Sequence, residues 1–413
     1  MHTSIEYYND SNQYQILDAV LAIATLTVFA PLFIIGLLHT YVTHRCFFLH
    51  DECIGRQEIP FYLYRFEGKG YYVKLAMLIN ILKGEISFVG PRLVRSEELQ
   101  NALELDWRNL HFKSKPGIFS LYGLHKKTGI HCVSEFESDR DYFRGEGFTN
   151  YCLVFLKSLF CLAFYRSEKT AAKPKFVIFG VNIDNLSLKE AVNKFFIETT
   201  SEKSITLNFV NAHSLNLAFK HADFRNIINK SDFVLADGSG IAIACNRIGV
   251  FRKGNINGTD LFPLLCERLN KEHKSLFLLG GQAGIALGVK NYVNAHYPNI
   301  RVAGTLDGYF GNHNTASAIN QINESCADVL LVGLGQPRQE RWINSHKNQL
   351  KVKVIAGVGG LFDFYSGNIP RAPMWLREIG CEWVWRLMQE PRRMFKRYVV
   401  GNPMFLFRLL TNH

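Results

Sequence analysis

The chain has 413 residues, 47% of them hydrophobic, which is enough apolar side chain for two or three cores and excludes a disordered polypeptide. Lys plus Arg outnumber Asp plus Glu by 47 to 36, and the net charge of +11 suits an anionic membrane surface, a phosphate-rich substrate or a nucleic acid. Nine scattered cysteines without a C-x-x-C pair argue against a disulfide scaffold or a structural zinc site and read as reduced thiols of a cytoplasmic compartment.

Glu6 and Asp10 stand where a secretory signal needs positive charge, so the apolar run from Ile16 to Leu38 reads as a membrane segment. It is long enough to cross a hydrocarbon core of ~30 Å, but Asp18 near one end and Pro31 inside leave two courses open: a span, or a broken helix that returns to the same face. Hydrophobic and aromatic residues stay frequent to Tyr165, with Asp139 and Asp141 read as part of a solvated acidic loop. The polar stretch from Arg166 to Lys175 then marks a boundary. The predicted organisation is residues 1–170 as a membrane-associated helical domain, 171–370 as an α/β domain and 371–413 as a tail.

Beyond the boundary, short apolar runs recur at Phe176 to Val181, Ile205 to Val210, Phe233 to Ala236, Leu276 to Leu279, Val329 to Val332 and Val354 to Ala356. Helix-length amphipathic stretches separate them, such as Ser187 to Thr199, Asn211 to Asn229 and Asp260 to Asn270. This alternation predicts a Rossmann-like, mostly parallel sheet with helices on both faces, whose ligands bind beyond the carboxyl ends of the strands. Several strand ends run into glycine: LADGSG with Gly238, LLGGQAG with Gly281, VGLGQPRQE with Gly335 and Gln336, and AGVGG. Such loops let backbone N–H groups approach a phosphate, although tight βα turns also need glycine for structure alone. Neither G-x-G-x-x-G with a downstream acid nor G-x-x-x-x-G-K-[ST] is present, so no dinucleotide fingerprint or P-loop is expected.

Asp237 ends an apolar strand and opens a glycine turn, a good address for a general base, with helix capping as the alternative. Asn211 is similarly placed to bind a sugar or cap a helix, and His213 reads as a helix-surface histidine. Gln339 and Glu340 follow Pro337 in GLGQPRQERW, where polar side chains favour recognition. No D-x-D with the look of a metal-nucleotide site occurs in this half, so neither a metal nor a cofactor is expected. From Arg371 the chain is basic and aromatic, with Arg377, Arg386, Arg392, Arg393, Lys396, Arg397 and Arg408 among Trp375, Trp383, Trp385, Phe395, Tyr398, Phe405 and Phe407. That suits docking on an anionic bilayer, with arginines on lipid or diphosphate, better than binding nucleic acid.

From about Lys175 onward the chain resembles the WecG/TagA/CpsF family of glycosyltransferases (glycosyltransferase family 26). The motifs are FGVNIDNLSLKEAV, the asparagine of VNAHS, DFVLADGSGI, NGTDLF, FLLGGQAGIA, YPNIRVAGTLDGYF, ADVLLVGLGQPRQERWI, AGVGGLFDFYSGNIPRAP and EWVWRLMQEPRR. The resemblance implies an inverting, metal-independent enzyme. It would move N-acetylmannosamine or a uronic acid from a UDP-sugar to a polyprenyl-diphosphate-linked sugar during surface polysaccharide synthesis. It implies Asp237 as base, a substrate pocket including Asn211, Asp260, Gln339 and Glu340, and a tail that docks on the membrane and helps complete the site. Many relatives have E-R-V-x-G-x-D-L where this chain reads G-N-I-N-G-T-D-L. Asn255 therefore stands where an arginine is expected: either Arg252, Lys253 or a tail arginine substitutes for it, or the donor or acceptor differs from the usual one.

The first half is similar to the bacterial sugar transferases that place a sugar-1-phosphate on polyprenyl phosphate. The carriers are the membrane run, LYRF, NILKGEISFVGPR and KPGIFSLYGL. That family's Asp-Glu pair aligns with Val73 and Lys74, and Cys53 replaces a usual arginine, so this half is expected to be a degenerate anchor and acceptor-lipid cradle. The alternatives are a bifunctional enzyme recruiting Glu67 or Glu85, and a non-catalytic scaffold. Residence on the cytoplasmic face of a bacterial inner membrane is expected, and a homo-oligomer is left open.

Overall fold

The computed structural model describes residues 10–68, 71–99, 105–128, 134–145, 147–164, 173–198, 204–309 and 314–411. The chain divides into two compact units, one of Met1–Lys127 with Cys132–Ala163 and one of Phe164–His413 with Thr128–His131. Residues 371–413 therefore belong to the same unit as the α/β domain.

In the first unit the apolar run is two helices, Asp10–Val28 and Ala30–His44, bent by 79° where they meet. Pro31 lies in the first turn of the second helix, where its missing N–H costs no hydrogen bond. No single helix among the described residues is long and apolar enough to cross a membrane. Asp18, which looked costly inside an apolar run, is buried and fully used: it accepts from Ser87 Oγ at 2.7 Å, from the Phe88 N–H at 3.2 Å and from the Tyr151 hydroxyl. Strands β1 (Leu49–Ile54), β2 (Pro60–Arg65) and β4 (Val94–Arg95) form a small antiparallel sheet, and β3 (Ser87–Val89) pairs in parallel with β5 (Gly117–Phe119).

Glu67 and Glu85, the acids considered for recruitment, are engaged. Glu85 accepts from Asn80 Nδ2 at 2.6 Å, and Glu67 meets His44 at 2.9 Å. Asp139 corrects the solvated-loop reading: it lies on a helix, Glu135–Arg144, and is buried against His111 Nδ1 at 2.6 Å. His111, Glu135 and Asp139 bring ligand atoms within 4.8 Å of one another. Arg92 occupies this cluster, with its guanidinium on Glu135 and its carbonyl 3.0 Å from His111 Nε2.

The second unit is built on an eight-stranded sheet of order β11-β10-β12-β13-β8-β9-β7-β6. Its strands are β6 (Lys175–Ile178), β7 (Val181–Asp184), β8 (Ile205–Val210), β9 (Phe233–Ala236), β10 (Ser275–Gly280), β11 (Arg301–Leu306), β12 (Val329–Gly333) and β13 (Val354–Gly357). All neighbours are parallel except β6 on β7. The central strands β8, β9, β10, β12 and β13 read as nearly unbroken apolar runs because both their faces are covered. In β10, Leu276 and Leu278 enter one core while Phe277 and Leu279 enter the other, as the two-residue period of a strand requires. Parallel pairing puts the carboxyl ends of β8, β9, β10, β12 and β13 along one edge.

The last helix, Gly401–Thr411, is a core element. Phe405 and Leu409 are buried among residues of β8, β9 and their helices. Arg408 donates to Asn216 Oδ1 at 2.8 Å and lies over the Phe219 ring. Replacing Phe405 by Ala is expected to destabilise the protein by about 3–5 kcal/mol, read by denaturant unfolding of the full chain. A loss below ~1 kcal/mol would mean that this helix is peripheral.

Candidate active site

Strands β8 and β9 are neighbours, so the residues that follow them meet. The Asp237 N–H donates to the Val210 carbonyl at 2.8 Å, carrying the β8–β9 pairing one residue past the strand. Gly238 then turns with φ +88°, a conformation that disfavours other residues, and the helix Ser239–Arg247 begins. Asn211 caps the helix Ala212–Lys220: its Oδ1 accepts from the N–H groups of His213 at 3.1 Å and Ser214 at 3.2 Å. With Oδ1 committed to the cap, Nδ2 is directed at Asp237 Oδ2, 3.4 Å away. Capping and contact with the site, alternatives in the sequence, are both realised by one amide.

Burial pushes the Asp237 carboxyl up to about 6, raised further by Glu382 and opposed by the Asn211 hydrogen bond and by Arg397 and Arg252. A carboxylate with this value is ionised at neutral pH and still basic enough to take a proton. Asn255 does not leave a void where an arginine is expected. Its Oδ1 accepts from the Gly238 N–H at 2.7 Å, and Arg252 Nη1 reaches the Gly238 carbonyl at 3.0 Å. Lys253 is held by Glu190 at 2.7 Å. Of the three proposed substitutes, Arg252 and a tail arginine, Arg397, act on Asp237.

Beside this pair lies a cleft of about 900 Å³. Gly281, Gly335 and Gln336 line it, as do Gly359 and Gly360 after β13, whereas Asp237, Asn211 and Gly238 lie outside its wall. Lys220, Arg338, Arg393, Lys396, Arg397 and Arg408 line it together with Asp363 and Glu390, an excess of cations suited to an anionic ligand. The sequence reading missed two contributors. His213 is on the cleft wall rather than the surface, because the tail covers its helix, and burial and Arg397 lower it to about 4. Arg397 was visible only as one of many tail cations.

Other assignments change. Gln339 and Glu340 are buried, so they lie behind the cleft wall; Gln339 Oε1 accepts from the Gly359 N–H at 2.9 Å. Asp260 is occupied by Asn257 at 2.7 Å, by Arg377 at 3.1 Å and by Arg371. Arg371 and Arg377 are thus spent on joining the tail to the domain, and a role for them on lipid or diphosphate is not what this geometry presents. Arg386 is similarly held by Asp363 at 3.2 Å and stacks over Phe364. Arg393 pairs with Glu390 at 2.8 Å but stays on the cleft wall, and Arg392 is exposed.

The Asp237 value sets a pH response. Activity is expected to rise with pH through about 6 as the base ionises, and Asp237→Asn to lower kcat by about 10²–10⁴-fold. Because Arg397 favours the carboxylate, Arg397→Ala is expected to move that limb to higher pH. An unmoved limb in the kcat/KM profile would remove Arg397 from the electrostatics of the base.

Comparison with known proteins identifies two families in the chain. Residues 176–413 match the family described as Glycosyl transferase WecG/TagA/CpsF, and residues 73–164 match the Bacterial sugar transferase family. The N-acetylglucosaminyldiphosphoundecaprenol N-acetyl-beta-D-mannosaminyltransferase of Bacillus subtilis (strain 168) is 32% identical over 213 residues, covering 52% of this chain and 82% of that protein. Its namesake from Staphylococcus aureus (strain MRSA252) is 28% identical over 244 residues, covering 59% and 94%. The chain is therefore a glycosyltransferase of the WecG/TagA/CpsF family that also carries a bacterial sugar transferase domain.

Proposed function

We propose that the enzyme transfers a sugar of the N-acetylmannosamine or uronic acid type from a UDP-sugar to a polyprenyl-diphosphate-linked sugar, at the cytoplasmic face of the inner membrane, in surface polysaccharide synthesis. The observation that carries this reading is the Asn211–Asp237 pair beside a cation-rich, glycine-edged cleft. The acceptor hydroxyl attacks the anomeric carbon and gives its proton to the Asp237 carboxylate. The bond from that carbon to the diphosphate oxygen breaks, and UDP leaves with the electron pair. Cations of the cleft, with Arg252 beside Asp237, offset the charge on the leaving diphosphate. The relatives' names supply the acceptor class and the mannosaminyl donor.

Membrane association is supported by apolar side chains left exposed on both bent helices, such as Ile16, Val20, Ile34 and Val42, and by Trp375, Phe395 and Phe407 beside basic residues of the tail. In the sugar transferase domain, Val73 and Lys74 provide no carboxylate, and the nearby acids Glu67 and Glu85 are already bonded. That domain is read as an anchor and acceptor-lipid cradle.

The test is nucleotide release from a panel of UDP-sugars by membrane-reconstituted protein given polyprenyl-diphosphate-GlcNAc. UDP release that collapses in Asp237→Asn and survives in Lys74→Ala is expected. UMP release with polyprenyl phosphate as acceptor would instead make the first domain an initiating enzyme and overturn its reading as an anchor.

A further inference from the structure

Behind the cleft wall lies a polar cluster that the transfer step does not use. Glu340 is 1% exposed. Its Oε1 accepts from Gln339 Nε2 at 2.9 Å, but its Oε2 is buried without a hydrogen-bond partner. The Gln336 side chain is within bonding reach of this carboxyl, and its own Oε1 is also buried and unpartnered. Two acceptor oxygens on adjacent side chains, both out of water and both without a donor, make an arrangement that an ionised carboxylate leaves strongly unfavourable. A proton on Glu340 Oε2 removes the buried charge and turns an unpartnered acceptor into a donor within reach of the Gln336 side chain.

We propose that Glu340 works as a neutral, proton-bearing carboxyl that fastens three strand ends together and so positions the cleft wall. Through Gln339 it holds the Gly359 N–H after β13, at 2.9 Å. Through Gln336, whose Nε2 donates to the Phe209 carbonyl at 2.9 Å, it holds the end of β8 two residues before Asn211. Gln336 itself lines the cleft after β12. Glu340 is a positioning residue, and the inference rests on the cleft being the substrate site. Burial raises its carboxyl to about 7, against its own backbone N–H, the Gln339 and Gln336 side chains and the charge of Arg397. On its own helix stand Arg338, Arg341 and His346, and on the helix Ala222–Asn229 packed against it stand Asp223, paired with Arg341, and Arg225.

Between 4.5 and about 7 the folded chain keeps a proton that the unfolded chain has lost, so this group's contribution to stability falls as pH rises across that window. Glu340→Gln mimics the neutral acid, with an amide N–H in place of the O–H. In full-length protein, wild type is expected to lose activity above about pH 7 as Glu340 ionises, whereas E340Q is expected to fold, to keep kcat/KM within about threefold of wild type at pH 6.5 and to hold that activity above pH 7. Its melting temperature is expected to fall less than that of wild type between pH 5 and 8; Asp237, present in both, cancels from the comparison. Glu340→Ala is expected to lose about tenfold in kcat/KM. An E340Q chain that does not fold, that loses activity at every pH, or that melts with the wild-type pH dependence overturns the proposal. The melting comparison decides the matter even if no UDP-sugar is turned over, which would count against the functional reading alone.

Discussion

The site depends on one amide. Asn211 must cap a helix, because the first turn of Ala212–Lys220 has N–H groups that nothing else within the helix can satisfy. That obligation fixes which end of the amide faces the next strand, and β9 lies next to β8, so the donor end meets Asp237. A structural requirement thus sets the orientation of a group whose hydrogen bond opposes the effect of burial on the Asp237 carboxyl. The helix so capped also carries His213 and Lys220 to the cleft and Asn216 to Arg408 of the tail.

The tail is therefore part of the catalytic unit in two senses. Phe405 and Leu409 complete a core, and carboxylates of the sheet domain neutralise Arg371, Arg377 and Arg386. A side chain on Gly360 would push aside the Arg386 guanidinium, which sits where its Cβ would be. These partly buried pairs are costly to break singly, since each leaves a charge without its partner. They bring Arg393, Lys396 and Arg397 to the cleft wall, where positive charge accumulates without equal compensation. Such a division of one basic segment, some arginines consumed by the fold and others presented to ligand, cannot be counted from composition.

The first unit shows the same logic with another outcome. Asp18 in an apolar helix is made tolerable by Ser87, Phe88 and Tyr151, which converge on it from distant parts of the chain. The bend after Val28 comes where Pro31 enters the next helix. Arg92 is spent on Glu98 and Glu135, and Asn80 on Glu85. Polar groups of the sugar transferase motif are thus held by other side chains of the same unit.

Much of this was legible in the sequence because it is local. The apolar runs of period two or unbroken length, the helices between them, the glycine turns and the address of Asp237 at a strand end all follow from the chemistry of a few consecutive residues. The ordered motifs identified the family for the same reason. What the tertiary structure alone decided concerns pairs far apart in the chain. Asp260 faces Arg371 and Arg377 rather than a substrate, Gln339 and Glu340 turn behind the cleft wall, and His213 becomes part of the cleft because a helix about two hundred residues later covers its neighbours. Whether a polar side chain serves a ligand or another side chain depends on which one reaches it at hydrogen-bond distance. That distance is set by the packing of strands and helices, not by spacing along the chain.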